Sequence, residues 1–207
     1  MMYTDRASAG RALGARLEHL RDSNPLVLGL PRGGVPVAAA VRAVIGGDLD
    51  ILLVRKLGVP WQPELAMGAL GEDGVRVLNP DVLSHTGISP QQVASIEDDE
   101  RAELERRKQV LRGGARRIPL EGRTVVIVDD GMATGATVLV ACRVARLHQP
   151  TRIVAAVPVS SAEAVQRVAD DADEVVCPWV PRSLGGVGTA YHDFHQLNDD
   201  EVTALLC

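Results

Sequence analysis

The sequence predicts an α/β fold: a parallel, doubly wound sheet of the Rossmann-like kind with helices on both faces. Short apolar runs alternate with helical segments along most of the 207 residues, a rhythm typical of repeated βαβ units. The runs are continuously apolar, as expected for strands whose two faces are both buried. A chain of this length fits one domain, at roughly 150 residues per domain. We therefore expect a single domain over residues 1–207.

The first half of the chain begins this alternation. Apolar residues at three- and four-residue spacing over 6–21 predict an amphipathic helix. The turn signal Asn24-Pro25 precedes a buried strand at 26–30. A helix over 34–45 is expected to end at two glycines, and the apolar run 51–54 predicts the second strand.

The second half opens with a hairpin and a long polar helix. Two apolar runs, 67–70 and 75–78, flank Glu-Asp-Gly, which predicts the hairpin. The helix should span 90–112, with acidic residues early and basic residues late, as the helix dipole favours. The basic run 112–117 is typical of a solvated helix end. The remaining expected elements are strands at 124–128, 152–157 and 174–177 and helices at 135–147 and from 162.

Charge and composition restrict the partners. The formal net charge is −5 and aromatic residues make up 2%, which argues against extended nucleic acid held by bulk positive charge or stacking. Lys56 and Lys108 are the only lysines among 22 basic residues. The three cysteines form no CxxC pair, which favours a reducing, cytoplasmic setting. No apolar stretch reaches the roughly 18 residues that span a membrane, so no membrane partner is expected.

The segment 125–137 carries the clearest chemistry. A buried strand ends in Asp129 and Asp130, and a loop of small and hydroxyl residues leads into a helix. Ligands of open α/β sheets bind at the carboxyl ends of strands, and a loop that precedes a helix N-terminus offers N–H groups to an anion. Carboxylates beside a phosphate site suit sugar hydroxyls, a metal ion or a cationic transition state.

This segment resembles the phosphoribosyl-pyrophosphate (PRPP) signature of type I phosphoribosyltransferases. The resemblance implies a core at about 24–177, a flap at about 57–80, and a hood made from the N-terminal helix and about 178–207. It implies that Asp129 and Asp130 are catalytic, bind the ribose hydroxyls and hold Mg²⁺ directly or through water. The residues implied to bind the 5′-phosphate are Ala133, Thr134, Gly135, Ala136 and Thr137.

Two further motifs extend the resemblance. Pro-Arg-Gly-Gly follows the first strand, where the family binds pyrophosphate, often through a non-proline cis peptide. We expect Arg32, Gly33 and Gly34 to bind pyrophosphate, with a cis bond near Arg32-Gly33. Val-Arg-Lys-Leu-Gly follows the second expected strand, which implies that Arg55 and Lys56 also meet the pyrophosphate. Arg32 and Lys56 would then act in catalysis.

The tail of the chain, from about residue 178 onward, is similar to that of a group of predicted bacterial phosphoribosyltransferases whose acceptor is unassigned. Tyr191, Asp193 and Phe194 would line the acceptor pocket. The sequence departs from that group at Leu184, where an aromatic residue is expected, and at Ala190, where a large one is. These departures concern the acceptor more than PRPP.

The resemblance implies a Mg²⁺-dependent enzyme that transfers the phosphoribosyl group of PRPP to a nitrogen nucleophile, possibly a nucleobase, and releases pyrophosphate. A homodimer through the helix from Pro90 is a further expectation. One alternative is a PRPP-binding regulator with little transferase activity. Another is a haloacid-dehalogenase-type phosphatase, although that family's two aspartates are separated by one residue and these are adjacent.

Overall fold

The computed structural model describes residues 2–206, apart from the side chain of Glu64, so Met1 and Cys207 of the expected domain lie outside it. Eight strands and seven α-helices occur in this part of the chain. The strands are β1 (Leu26–Gly29), β2 (Asp48–Ile51), β3 (Val54–Val59), β4 (Gln62–Gly71), β5 (Arg76–Leu78), β6 (Thr124–Val128), β7 (Arg152–Ala156) and β8 (Glu174–Val176). The helices are α1 (Arg6–Arg16), α2 (Gly34–Ile45), α3 (Pro80–Thr86), α4 (Pro90–Arg112), α5 (Ala136–Arg146), α6 (Ala162–Ala169) and α7 (Asp199–Thr203).

The main sheet has the order β2-β1-β6-β7-β8, and every neighbouring pair is parallel. Because successive side chains of a strand alternate between faces, each strand contributes to two cores. Val27 and its neighbours pack with α1 and α2 on one face. Leu26 and its neighbours pack with α5 and α6 on the other. The predicted parallel, doubly wound sheet is confirmed.

A second, antiparallel sheet of order β3-β4-β5 adjoins the first. Leu57 and Met67 pack against Leu104 of α4, while Ala69 packs against Val140 of α5. The predicted hairpin is confirmed, with β4 and β5 joined by a short 3-10 turn at Glu72–Gly74. The expected flap therefore forms most of a sheet whose base is packed between two helices.

The predicted strand at 51–54 is wrong. β2 lies earlier, at Asp48–Ile51, and β3 begins at Val54, so the apolar run is the bend between the two sheets. Leu52 packs in one core and Leu53 in another. A short apolar run does not distinguish a strand from such a buried crossover, whereas the alternating Asp48–Ile51 pattern is typical of an edge strand.

The junction of the two sheets is held by a buried ion cluster. Arg112, at the end of α4, donates to Asp50 at 2.7 Å and to Glu72 at 2.6 Å. The Arg112 side chain is 4% exposed, so the expectation of a solvated helix end is wrong at this residue. Its guanidinium provides several donors in one plane, and two carboxylates and the Ile51 carbonyl accept from it.

Three smaller features complete the fold. The first expected helix is shorter, because α1 ends at Arg16 and a 3-10 helix follows over Glu18–Ser23. Helix α3 was not predicted from the sequence. The chain near the N-terminus pairs with the tail: the Tyr3 N–H donates to the Ala190 carbonyl at 2.8 Å. Across residues 2–206, every helix is too short or too polar to cross a membrane.

Candidate active site

Asp129 and Asp130, the acidic pair, lie at the carboxyl end of β6. They are next to Gly33 and Gly34, where α2 begins. A Cβ atom on Gly33 would lie 1.9 Å from Asp130 Oδ2, and one on Gly34 would lie 2.4 Å from the Val128 carbonyl oxygen. Side chains at these two positions would therefore collide with the end of β6. The Pro-Arg-Gly-Gly loop and the acidic pair thus form one continuous surface.

Arg6, at the start of α1, is the partner of the acidic pair. Its Nε donates to Asp130 Oδ2 at 2.9 Å, and its Nη1 donates to the His195 carbonyl at 3.0 Å. The guanidinium also lies 4.0 Å from the centroid of the Phe194 ring, within the range of cation–π attraction. One side chain therefore joins the N-terminal helix, the acidic pair and the tail.

The two carboxyl groups differ in their electrostatic surroundings. Burial, together with the charge of Asp130, raises the pKa of Asp129 well above its usual range. Burial also raises the pKa of Asp130, but the hydrogen bond and charge of Arg6 oppose that shift. Adjacent buried carboxylates resist double ionisation, so a cationic ligand at this pair would be strongly favoured.

The loop after the acidic pair forms a small cavity. The predicted phosphate-binding residues line a space of about 180 Å³ together with Asp129. Gly135, the residue before α5, has φ of 74°. The Ala136 N–H donates to the Thr134 hydroxyl at 3.4 Å, and the N–H groups that follow it in the first turn of this 11-residue helix offer donors to an anion. Arg167 holds the loop from α6 by donating to the Thr134 carbonyl.

The loop after β1, the cis loop (residues 30–33), contains a cis peptide bond. It lies between Pro31 and Arg32, one bond before the expected position. The Arg32 guanidinium contacts the C-terminal segment: Nε donates to Asp199 Oδ1 at 2.8 Å and Nη1 to the Leu197 carbonyl at 3.2 Å. A cavity of about 400 Å³ adjoins this loop, and its lining comprises Arg6, Pro31, Arg32, Gly33, Arg107, Phe194, His195, Gln196 and Leu197.

The expected Arg55-Lys56 pair follows β2 of the parallel sheet after the bend at residues 52–53, and it lies inside β3 of the antiparallel sheet. Arg55 donates to Glu100 of α4. Lys56 lies on the opposite face of β3. Val54 shares that face and packs towards α5, the helix that the phosphate loop precedes. The structure therefore divides the pair between α4 and α5.

The three expected acceptor residues occupy different environments. Tyr191 is 6% exposed, stacks on Phe194 at a centroid distance of 5.1 Å, and donates to the Asp130 carbonyl. Burial raises the pKa of its hydroxyl. Arg6 and Tyr191 both cover the Phe194 ring, while Asp193 is exposed and accepts from His195. Tyr191 therefore supports the acidic pair from a buried position, whereas Phe194 is 37% exposed and lines the cavity beside the loop after β1.

Three charged residues that the sequence did not predict lie beside the predicted ones: Arg6, Arg107 and Asp199. Arg6 carried one usable signal. A cation in the first turn of a helix opposes the helix dipole, which suggests that the residue is needed elsewhere. Arg107 and Asp199 are ordinary charged residues of polar helices, so only the fold reveals their position.

An acidic pair, a loop before a helix N-terminus and an arginine-containing loop, all at the carboxyl ends of parallel strands, are typical of proteins that bind phosphorylated ligands. The chain belongs to the phosphoribosyl transferase family: the family model described as "Phosphoribosyl transferase domain" matches residues 4–192. The family and the fold predicted from the sequence are thus confirmed.

Two provisionally named phosphoribosyl transferases of Mycobacterium tuberculosis, from strains CDC 1551 and H37Rv, are each 52% identical over 205 residues. The match covers 99% of this chain and 46% of each relative, so the chain spans about half their length. The crystal structure of TT1426 from Thermus thermophilus is similar with a TM-score of 0.93 and 43% identity, covering 100% of this chain and 98% of that one.

Proposed function

We propose that the domain transfers the 5-phosphoribosyl group of PRPP to a nitrogen nucleophile and releases pyrophosphate. The order of three subsites along the sheet edge carries this proposal. The phosphate loop, residues 133–137, offers an anion site, and the acidic pair adjoins it through Asp129. The cis loop adjoins the acidic pair through Gly33. This order matches the 5′-phosphate, ribose and diphosphate of PRPP.

The phosphate loop and the acidic pair would fix the ribose. Backbone N–H groups and the hydroxyls of Thr134 and Thr137 would hold the 5′-phosphate, so that binding energy far from C1 orients C1 for attack. Asp129 and Asp130 would accept hydrogen bonds from the ribose 2′- and 3′-hydroxyls. Their charge would also stabilise the positive charge that develops on the ribose ring as the bond to pyrophosphate breaks.

The oxygen donors of the acidic pair are of the type that Mg²⁺ prefers. Within residues 2–206, no cluster of three or more His, Cys, Asp or Glu side chains forms a protein cage for a metal. Asp129 and Asp130 would therefore share the ion with substrate oxygens and water. When bound, Mg²⁺ would neutralise the charge of the leaving diphosphate. Arg32 and Lys56 would add cationic contacts to the same group.

The acceptor would reach C1 beside the tail. The Phe194 ring, which is 37% exposed, would contact it, and the buried Tyr191 ring would support Phe194 by stacking on it. Asp193 would contribute a charged oxygen at the rim. The homodimer through α4 stays a prediction.

Asp130→Asn tests the proposal, because it removes one ribose-binding charge and keeps the shape of the side chain. We expect it to weaken Mg·PRPP binding and to lower the transferase rate at least tenfold, about 1.4 kcal/mol. Calorimetric titration with Mg·PRPP measures the affinity. Pyrophosphate release from PRPP with a panel of nitrogen heterocycles and amines measures the transfer.

Asp200→Asn is a matched control, since it makes the same charge change at an exposed position in α7. Equal affinity and rate for the Asp130 variant and the wild type would overturn the proposal. Binding of PRPP without pyrophosphate release by any acceptor would instead favour a PRPP-binding regulator. Phosphate release from simple phosphomonoesters would favour the phosphatase.

A further inference from the structure

Asp199 of α7 lies among arginines from two separate parts of the chain. It pairs with Arg32 of the cis loop, with 2.8 Å between Oδ1 and Nε. Arg106 and Arg107 of α4 line the same crevice as Arg32 and Asp199. A carboxylate of the chain's own tail therefore occupies a position where several guanidinium groups converge.

The adjacent cavity of about 400 Å³ brings two of these arginines to one space. Arg32 and Gly33 line it from the cis loop, and Arg107 lines it from α4. Arg107 pairs with Glu103 through Nε, at 2.9 Å. Because a guanidinium carries five N–H donors in one plane, its two terminal nitrogens can bind a second partner.

We propose that Asp199 is an internal counter-ion of the pyrophosphate subsite, which the diphosphate of the ligand displaces from Arg32, and that Arg107 is a further ligand of that diphosphate. The inference rests on the proposed function, since it takes the cis loop as the pyrophosphate subsite. It extends that function to two residues outside the motifs of the cis loop, the acidic pair and the phosphate loop.

The ion pair between Asp199 and Arg32 is weak enough for a ligand to replace Asp199. The Arg32 and Asp199 side chains are 37% and 31% exposed, and ion pairs with this much solvent contribute little to stability. Asp199 accepts from Arg32 through Nε while Nη1 donates to the Leu197 carbonyl, whereas a phosphate group can accept two parallel hydrogen bonds from one guanidinium, so a diphosphate is the stronger partner. Leu197 and Val202, on either side of Asp199, are buried in the core with α4, so only the Asp199 side chain needs to move.

Asp199→Asn tests the counter-ion role, with Asp200→Asn as the matched control. The two variants change the net charge equally at adjacent positions, and Asp200 is exposed. We expect Asp199→Asn to bind Mg·pyrophosphate three- to fivefold more tightly than the wild type, about 0.6–1 kcal/mol. Ribose 5-phosphate affinity should be unchanged, because that ligand does not reach Arg32. Isothermal titration calorimetry of the full chain measures both ligands.

Arg107→Gln tests the second part, with Arg106→Gln as its control. Both arginines pair with Glu103, but of the two only Arg107 lines the larger cavity. We expect Arg107→Gln to weaken Mg·pyrophosphate binding three- to tenfold and Arg106→Gln to change it less than twofold.

The outcomes separate this inference from the proposed function. Normal PRPP binding by the wild type, with equal pyrophosphate affinity in Asp199→Asn and Asp200→Asn, overturns the counter-ion role and leaves the proposed function standing. Equal effects of the two arginine variants overturn the role of Arg107. A wild type that binds neither PRPP nor pyrophosphate overturns both the proposed function and the inference.

Discussion

Replacing Arg6 by glutamine removes the cation that contacts Asp130 and keeps a side chain of similar length. The Arg6 and Asp130 side chains are 10% and 14% exposed, so the pair is largely shielded from water. Removing one partner of a buried pair typically costs about 3–5 kcal/mol. Loss of the contact with the Phe194 ring adds up to about 1 kcal/mol. Asp130 can relieve part of this cost by taking up a proton, and we therefore expect a loss of about 2–3 kcal/mol at pH 8.

The pH dependence of this loss follows from the pKa of Asp130. Burial raises that pKa in the folded protein and Arg6 opposes the shift, so the variant should have a higher pKa than the wild type. A carboxyl whose pKa is higher in the folded state loses stability as the pH rises through that pKa. The difference in unfolding free energy between wild type and variant should therefore grow from pH 5 to pH 8.

Urea unfolding followed by circular dichroism at pH 5 and pH 8 measures this difference. Arg11→Gln is the matched control, because Arg11 lies on the same helix and is exposed. A loss for Arg6→Gln no larger than for Arg11→Gln would refute the claim that Arg6 carries the contact. An equal loss at both pH values would refute the claim that Asp130 is the group concerned.

Two further substitutions address the same surface. Asp129→Asn should raise the unfolding free energy at pH 8 by about 1–2 kcal/mol, because it removes a buried charge, and should abolish tight PRPP binding. Burial raises the pKa of Asp129 in the folded protein, so the stability gain should disappear as the pH falls below about 4, where the carboxyl is protonated in both states; urea unfolding across this range checks it. Gly33→Ala places a Cβ 1.9 Å from Asp130 Oδ2, although φ of −62° at this position suits alanine. We expect at least a tenfold loss of Mg·PRPP affinity by calorimetry, and no loss for Gly185→Ala, whose Cβ would meet its nearest neighbour at 3.8 Å.

The parallel sheet could be predicted because its strands are buried on both faces. The strand at 124–128 has the same bounds in the sequence reading and the structure, since an unbroken apolar run followed by a polar loop is unambiguous. The strand Asp48–Ile51 was missed because two of its four residues are aspartates. The buried Asp50 is satisfied by Arg112 and by the N–H groups of Ile51 and Ile118, and these partners are distant in sequence or ordinary in type.

The residues of the candidate site also fall into two groups, those that a local sequence pattern predicts and those that only the fold brings together. Asp129, Asp130 and the phosphate loop are contiguous in sequence, so their chemistry is visible without a structure. Their electrostatic partners are not: Arg6 reaches Asp130 across 124 positions and Arg32 reaches Asp199 across 167. Such pairs depend on how α1, the tail and the sheet pack together, and no local pattern encodes them.

These distant pairs also change how an acidic chain can bind a polyanion. Asp130 is matched by Arg6, Arg32 by Asp199 and Arg55 by Glu100, so the site is balanced by charges from within the chain before any ligand arrives. Binding of Mg·PRPP would then exchange internal ion pairs for pairs with the ligand, and its affinity would reflect the difference between the two sets. Arginine suits such exchange better than lysine, because its planar fork can hold a carboxylate or a phosphate with the same geometry. The near absence of lysine, at two of 22 basic residues, accords with a protein whose cations serve as directional partners rather than as a diffuse positive surface.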